Sequence, residues 1–217
     1  DRNVIAANGS FGIQFANGSS NNVVQGNLIG LGVGGQALGN GTSIGFGNGG
    51  TSGTLVGGTG PGEGNTIAHS TNGNIRTTPA AGANNAIVGN SIFGSGTLGI
   101  DLSNNGVTNN DVDDADSGPN SLLNFPVLTN VTQTGPDLDI DFAVDLPAGN
   151  YRIEFFENPT DSNLLGLGEG QTLLGAVTIT TTGAAGYESF TRTLTSVMPS
   201  QIAGIAATAT IDLGGGT

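Results

Sequence analysis

The chain of 217 residues has no cysteine, no lysine and no tryptophan. Without cysteine there are no disulfides and no thiolate metal sites, though this leaves the compartment open. Its four cations, all arginine, face 17 acids, and the net charge is −13. Nucleic-acid binding needs cations against phosphate and is excluded as an expectation. An anionic membrane surface is disfavoured for the same reason. No apolar run approaches the ~20 residues needed to cross a bilayer, so no membrane insertion is expected. Aromatics are scarce, with nine Phe and two Tyr. A compact globule draws on such side chains for its core. A repeat fold needs fewer, because small aliphatics stack coil on coil. No signal peptide is visible, and Asp1 opens inside what reads as a repeat. The chain is therefore expected to be a processed or excised piece of something longer.

Glycine is abundant, 40 residues, but without the G-X-Y period of collagen. A longer period is present instead. The segment NNVVQGNLIG from Asn21 returns as NNAIVGNSIFG from Asn84, an offset of 63 residues read as three coils of 21. The triplet N-x-I occurs at Asn3-Ile5, Asn27-Ile29, Asn65-Ile67 and Asn90-Ile92. A second element, Gly then an apolar residue, occurs at Gly12-Ile13, Gly45-Phe46 and Gly99-Ile100, nine residues after Asn3 and Asn90 and eighteen after Asn27. This pattern predicts a parallel β-helix of short strands joined by tight corners. Asn and Gly suit the left-handed backbone of the corners, and stacked Asn suits amide ladders. Four or five coils, ~4.8 Å apart, would make a rod roughly 20 Å long. A disordered Gly/Asn/Ser linker is the plainer reading, but a linker has no reason to restore these elements in phase. Gly32–Gly60 is expected to hold one irregular coil with a long loop. Ile75–Gly82 is expected to protrude, since Pro79 breaks strand pairing.

Composition changes near Asp101. Residues 1–100 are formally neutral, and the other fifteen of the seventeen acids follow. Beyond residue 120 the alternation becomes clean. In Leu138–Leu146, Leu138, Ile140, Phe142, Val144 and Leu146 face one way, with Asp139, Asp141, Ala143 and Asp145 opposite on a solvent face. Pro147–Asn150 is turn chemistry. The strand from Tyr151 puts Tyr151, Ile153 and Phe155 on one face. Leu173–Thr180, Tyr187–Leu194 and Ile205–Leu213 are further strands, which together predict a small sandwich.

These features carry a resemblance. The N-x-I coils, NSIFGSGTLGIDLSNNGVTNND, the turn DVDDADSGPNSLLNFPVLT and the strand YRIEFFENP are similar to the C-terminal portion of large right-handed parallel β-helix repeat proteins of bacterial cell surfaces. In those proteins an Ig-like sandwich follows the helix. The resemblance covers nearly the whole chain, departs at its ATATIDLGGGT end, and speaks to architecture more than to activity. It implies an all-β chain: a right-handed parallel β-helix over residues 1–105 with pectate-lyase-like coils, an acidic junction over 106–124 and a small antiparallel Ig-like sandwich over 125–217. It also implies an extracellular, cell-surface structural or adhesive module, with other subunits or further modules as partners.

The strongest candidate site is the acidic turn Asp111, Asp113, Asp114 and Asp116. Alternating carboxylates on a tight loop suit a hard cation with six to eight oxygen ligands, and Ca²⁺ is the expected ion. Asp101 and the carbonyls of Asn109 or Asn110 are candidates to complete the shell. The spacing does not match an EF-hand, and a solvated acidic linker is the plainer alternative. Two further functions compete. Binding of surface glycans needs exposed aromatics, and Tyr151, Tyr187 and a few Phe are what the chain offers. Polysaccharide cleavage needs a carboxylate pair or calcium with a basic group. Asp113-Asp114, His69 and Arg76 are the available residues, but His69 and Arg76 precede the acids and match no such motif, so no enzyme is expected. Sequons at Asn8, Asn17, Asn40 and Asn130 are of a kind that chance produces in such a composition. The open end of a β-helix exposes unpaired strand edges, so head-to-tail assembly into a fibre is expected as one form of the module.

Overall fold

The computed structural model describes residues 2–158, 169–200 and 204–212. The chain is all-β, with parallel sheets first and antiparallel sheets after them. The first eleven strands wind as a three-faced β-helix. One face stacks β1 (Val4–Ile5), β4 (Leu28–Ile29), β7 (Thr66–Ala68) and β10 (Ser91–Phe93). The second stacks β2 (Phe11–Phe15), β5 (Thr42–Phe46), β8 (Ile75–Thr77) and β11 (Ile100–Asp101). The third stacks β3 (Val23–Val24), β6 (Leu55–Gly57) and β9 (Ala86–Val88).

Each face sends one column of aliphatic side chains inward. Ile5, Ile29, Ile67 and Ile92 pair in register. So do Ile13, Ile44, Ile75 and Ile100, and Val24, Val56 and Ile87. Ile29, Ile44, Val56, Ile67 and Ile75 are fully buried. Each such side chain contributes roughly 1.5–3 kcal/mol by leaving water. This is how a chain poor in aromatics builds a core.

The N-x-I triplets mark equivalent positions, as the sequence predicts, and their asparagines form a ladder. Asn27 Oδ1 accepts Asn3 Nδ2 at 3.0 Å, Asn65 Oδ1 accepts Asn27 Nδ2 at 3.1 Å, and Asn90 Oδ1 accepts Asn65 Nδ2 at 2.9 Å. Each Oδ1 also accepts the backbone N–H of the preceding Asn. The ladder therefore satisfies both corner backbone and side chain, in a stack that is buried from Asn27 to Asn90. Asn8 on Asn40 repeats the arrangement at a second corner.

The coils are not 21 residues long. Successive ladder asparagines are 24, 38 and 25 residues apart. The 63-residue offset spans two coils, not three, because loops of different length are inserted at the corners. Three full coils and the start of a fourth make a stack about 15 Å tall. Two other expectations are corrected. Gly45-Phe46 is not equivalent to Gly12-Ile13: Ile13 stacks on Ile44, and Phe46 lies over Phe15 with ring centroids 5.2 Å apart. Ile75–Thr77 is not a protruding loop but strand β8, held between β5 and β11 with Ile75 fully buried. Pro79 acts two residues later, in a turn where Ala81 N–H donates to Thr78 O.

The parallel strands end at Asp101, and antiparallel strands begin at Val127. One sheet has the order β12 (Val127–Thr134), β13 (Asp137–Val144), β16 (Glu188–Leu194). The other has β15 (Thr172–Thr181), β14 (Gly149–Glu157), β17 (Ile205–Ile211). Leu138, Ile140, Phe142 and Val144 of β13 meet Tyr151, Ile153 and Phe155 of β14 in one core, with Phe142 and Phe155 edge-to-face at 5.4 Å. Leu213 and the GGGT end lie outside the described residues. Asp139 and Asp141 face solvent as expected, each accepting from two of Thr134, Thr193, Thr191 and Asn130. Ala143 and Asp145 do not: both are buried, and Asp145 accepts the Asp113 N–H, because the junction folds over the end of β13. Among the described residues, no helix is long and apolar enough to cross a membrane.

The sandwich closes the last coil of the β-helix. Ile92 and Gly170 exchange both backbone hydrogen bonds, at 2.8 and 3.0 Å. Glu169 accepts the N–H groups of Gly94 and Ser95. Glu154, buried on β14, accepts the Gly89 N–H. At the third corner, Asn120 of the junction accepts from Asn85 N–H and donates to Asn85 O. Part of the edge that would otherwise end the stack, along β9 and β10, is thereby satisfied.

Candidate cation site at the acidic junction

The junction contains two short 3₁₀ turns, Val112–Asp114 and Pro119–Leu122. Asp113 and Asp114 both have positive φ, 61° and 51°. Aspartate tolerates this region better than most residues because its short carboxylate bonds locally. The two left-handed steps bring Asp111, Asp114 and Asp116 together. One oxygen of each lies within 4.8 Å of the others, so the three form a group able to hold a metal ion.

Asn124 organises the triad, and the sequence pattern does not mark it. It is 3% exposed. Its N–H donates to Asp114 Oδ1 at 2.7 Å, its Oδ1 accepts Asp111 N–H at 3.0 Å, and its Nδ2 donates to the carbonyls of Asp111 and Asp145. The one available signal was an isolated amide inside the apolar run LLNFP.

Burial raises the Asp114 pKa above its ordinary 3.8, the Asn124 N–H opposes this, and the charges of Asp116, Asp111 and Asp145 raise it further. Burial and then Asp111 raise Asp116 in the same way. Burial raises the Tyr151 hydroxyl, with a smaller contribution from Asp114. The carboxylates are thus close enough to disfavour one another's charge. One oxygen each of Asp111 and Asp116, both Oδ1, is removed from water and meets no hydrogen-bond donor.

The other two proposed ligands lie elsewhere. Asp113 turns outward, and its Oδ1 accepts Gly186 N–H at 3.0 Å. Asp101, at the end of β11, accepts the N–H groups of Asn105 and Gly106 and so closes the turn after the last parallel strand. The Asn110 side chain exchanges hydrogen bonds with the Phe125 backbone. His69 packs edge-on against Phe93, and Arg76 donates to Thr42 on the neighbouring strand. Among the described residues, no hydrogen bond or ion pair joins His69 or Arg76 to Asp113 or Asp114. Tyr151 is buried and Tyr187 is 54% exposed. In sequence comparison, no protein family and no curated protein matches the chain.

Proposed function

We infer that the chain is a structural module of an extracellular surface protein: a stiff β-helical spacer closed at one end by its sandwich, with Ca²⁺ bound at the junction. The closure of the last coil carries this reading. A sandwich held to the coil by a backbone bridge, two buried glutamates and an Asn pair transmits force between the two halves without a flexible linker. The spacer itself offers little chemistry, since residues 1–100 are formally neutral and the asparagines of their N-x-I triplets are spent in a ladder.

The orphaned oxygens of Asp111 and Asp116 support the cation assignment. Asp111, Asp114 and Asp116 are the residues that would hold it, and a bound Ca²⁺ would supply the positive charge that lets all three ionise together. Calcium calorimetry tests this. Heat of binding, lost in Asp114→Asn, is the expected result. No heat, together with a melting temperature indifferent to EDTA, overturns it.

A head-to-tail assembly of such modules would have a direction. The Oδ1 atoms of Asn3 and Asn8 accept no hydrogen bond among the described residues, while their N–H and Nδ2 groups donate into the next coil. The first rung therefore offers acceptors to another β-helical rung, supplied by a further module or a second subunit. The sandwich already covers the last coil, so a fibre would have to seat one chain's first rung against its neighbour's sandwich. Light scattering at high protein concentration tests assembly of the isolated chain. Association that Ile5→Glu abolishes is expected, and a strict monomer overturns the fibre.

A further inference from the structure

We propose that the open edge of β15 is a contact surface for a second copy of this chain, whose own β15 pairs with it antiparallel about Thr178. Among the described residues the other edges of the sandwich are protected. β12 is broken by an irregularity between Leu128 and Asn130, β16 carries Glu188 and Arg192, and β17 lies against β9 of the last coil. Such devices keep strand edges from pairing. β15 has β14 as its only strand neighbour among the described residues, and its own irregularity, opposite Phe155 and Phe156, lies before Ala176.

The pairing within the sheet fixes which backbone groups face outward. Asp212 N–H donates to Asn150 O, so Asn150, Arg152 and Glu154 turn their main-chain groups toward β17. Tyr151 and Ile153 turn theirs toward Ile179 and Val177 of β15. Ala176, Thr178 and Thr180 therefore present N–H and C=O to the open side, and both threonines are exposed. Residues 159–168 and 201–203 lie outside the described residues. Their described neighbours Asn158, Glu169, Ser200 and Gly204 meet around Glu157, which is five residues along β14 from Arg152, the partner of Thr178.

Charge and register select the partner. Residues 101–217 hold most of the acids, so two copies repel across much of this half. From Gln171 to Tyr187 there is no charged residue, and here the copies can approach. The edge is also complementary to itself. With Thr178 opposite the Thr178 of the second copy, Ala176 falls opposite Thr180, and every outward-facing group meets another, for about six backbone hydrogen bonds. Val177 then falls opposite Ile179, which extends the apolar inner face of the sheet. A slip of one residue would set outward groups against groups already bonded to β14. One strand edge buries far less than the ~1,200 Å² of a stable complex, so the contact is transient in dilute solution and takes effect where copies are crowded side by side.

The chain has no cysteine, so single substitutions report the register by disulfide trapping. The whole chain carrying Ile5→Glu, which removes the first rung from any association, is oxidised with copper phenanthroline, and linked dimer is followed by non-reducing electrophoresis. Antiparallel partners that exchange hydrogen bonds have Cα atoms ~5.5 Å apart, within disulfide reach. Thr180 would lie roughly 13 Å from its own copy. Thr178→Cys should therefore link about tenfold faster than Thr180→Cys, and Ala176→Cys/Thr180→Cys should regain the faster rate. Ala176→Pro removes an N–H that faces the open side and so spares the pairing with β14. It should lower linking through Thr178→Cys to the level of Thr180→Cys. Equal rates for Thr178→Cys and Thr180→Cys overturn the proposal. So does undiminished linking in an Ala176→Pro chain that still unfolds cooperatively. If Ala176→Pro loses cooperative unfolding, the comparison of Thr178→Cys with Thr180→Cys decides alone.

Discussion

The carboxylate of Glu154, on a sandwich strand, accepts the backbone N–H of Gly89, on the last coil of the β-helix, at 2.9 and 3.1 Å. Glu154 is 1% exposed, and Arg152 Nε donates to its Oε1 at 2.9 Å. Replacing Glu154 by Leu would bury Gly89 N–H without an acceptor and leave Arg152 unpaired. The expected cost is about 3 kcal/mol. Glu154→Gln keeps one acceptor and should cost about half as much. Urea unfolding measures both, and faster hydrogen exchange at the Gly89 amide identifies the contact responsible.

The Asn ladder makes a sharper prediction about which asparagines matter. Asn65 donates to Asn90 Oδ1 and Val24 O and accepts from Asn27 N–H and Nδ2. Asn65→Ala orphans several buried groups at once and should cost at least ~3 kcal/mol. Asn72 is exposed, and Asn72→Ala should stay within about 0.5 kcal/mol. A chain this rich in Asn would thus divide into two classes by denaturant midpoint.

Those two asparagines also show how much of the fold was legible in the sequence. The N-x-I triplets revealed the β-helix because two local demands coincide there, an amide at the corner and an isoleucine inside. Coil length was not legible, since corner loops such as residues 30–41 follow no period. The sandwich strands are visible in alternation, but alternation places Asp145 on the solvent face because nothing local shows that the junction folds over it. Glu154 carries no local mark for the same reason, although Phe156 on its own strand face is a sign that this face is covered. Of the acidic turn, Asp111, Asp114 and Asp116 converge while Asp113 does not. That separation depends on two left-handed residues, which spacing alone does not display.

Glycines at positive φ separate into those fixed by conformation alone and those fixed also by packing. At Gly30, φ is 84°, and a Cβ would run into the carbonyl oxygen of Ala68 on the next coil. At Gly35, φ is 81° and the space is open. Gly35→Ala should cost only the conformational penalty, about 1 kcal/mol. Gly30→Ala must also push two coils apart and should cost at least twice as much. Thermal melts of the pair measure the difference, and equal losses would mean that the coils yield freely at this corner.

The acidic triad predicts an unusual dependence of stability on pH. For Asp114 the folded-state pKa is raised above 3.8, chiefly by burial. At pH below 3.8 the group is protonated in both states and contributes nothing. As pH rises, the unfolded chain ionises first, so this group's contribution becomes increasingly destabilising until pH passes the raised folded value, and is constant above it. Asp139 runs the other way: the hydroxyls of Thr193 and Thr134 lower its pKa, so its contribution is lost as pH falls. Comparing the wild type with Asp114→Asn isolates the first effect. In EDTA the variant should gain on the wild type between pH 3.5 and 7. Calcium should reverse that order at pH 7, because the cation takes the place of the proton. At a free concentration a hundred times its dissociation constant, it would add about 2.7 kcal/mol to the wild type alone. Below the Asp114 transition, protons should outcompete the metal and the calcium response should vanish. A wild-type profile in EDTA parallel to that of Asp114→Asn would mean that the three carboxylates are solvated independently and form no common site.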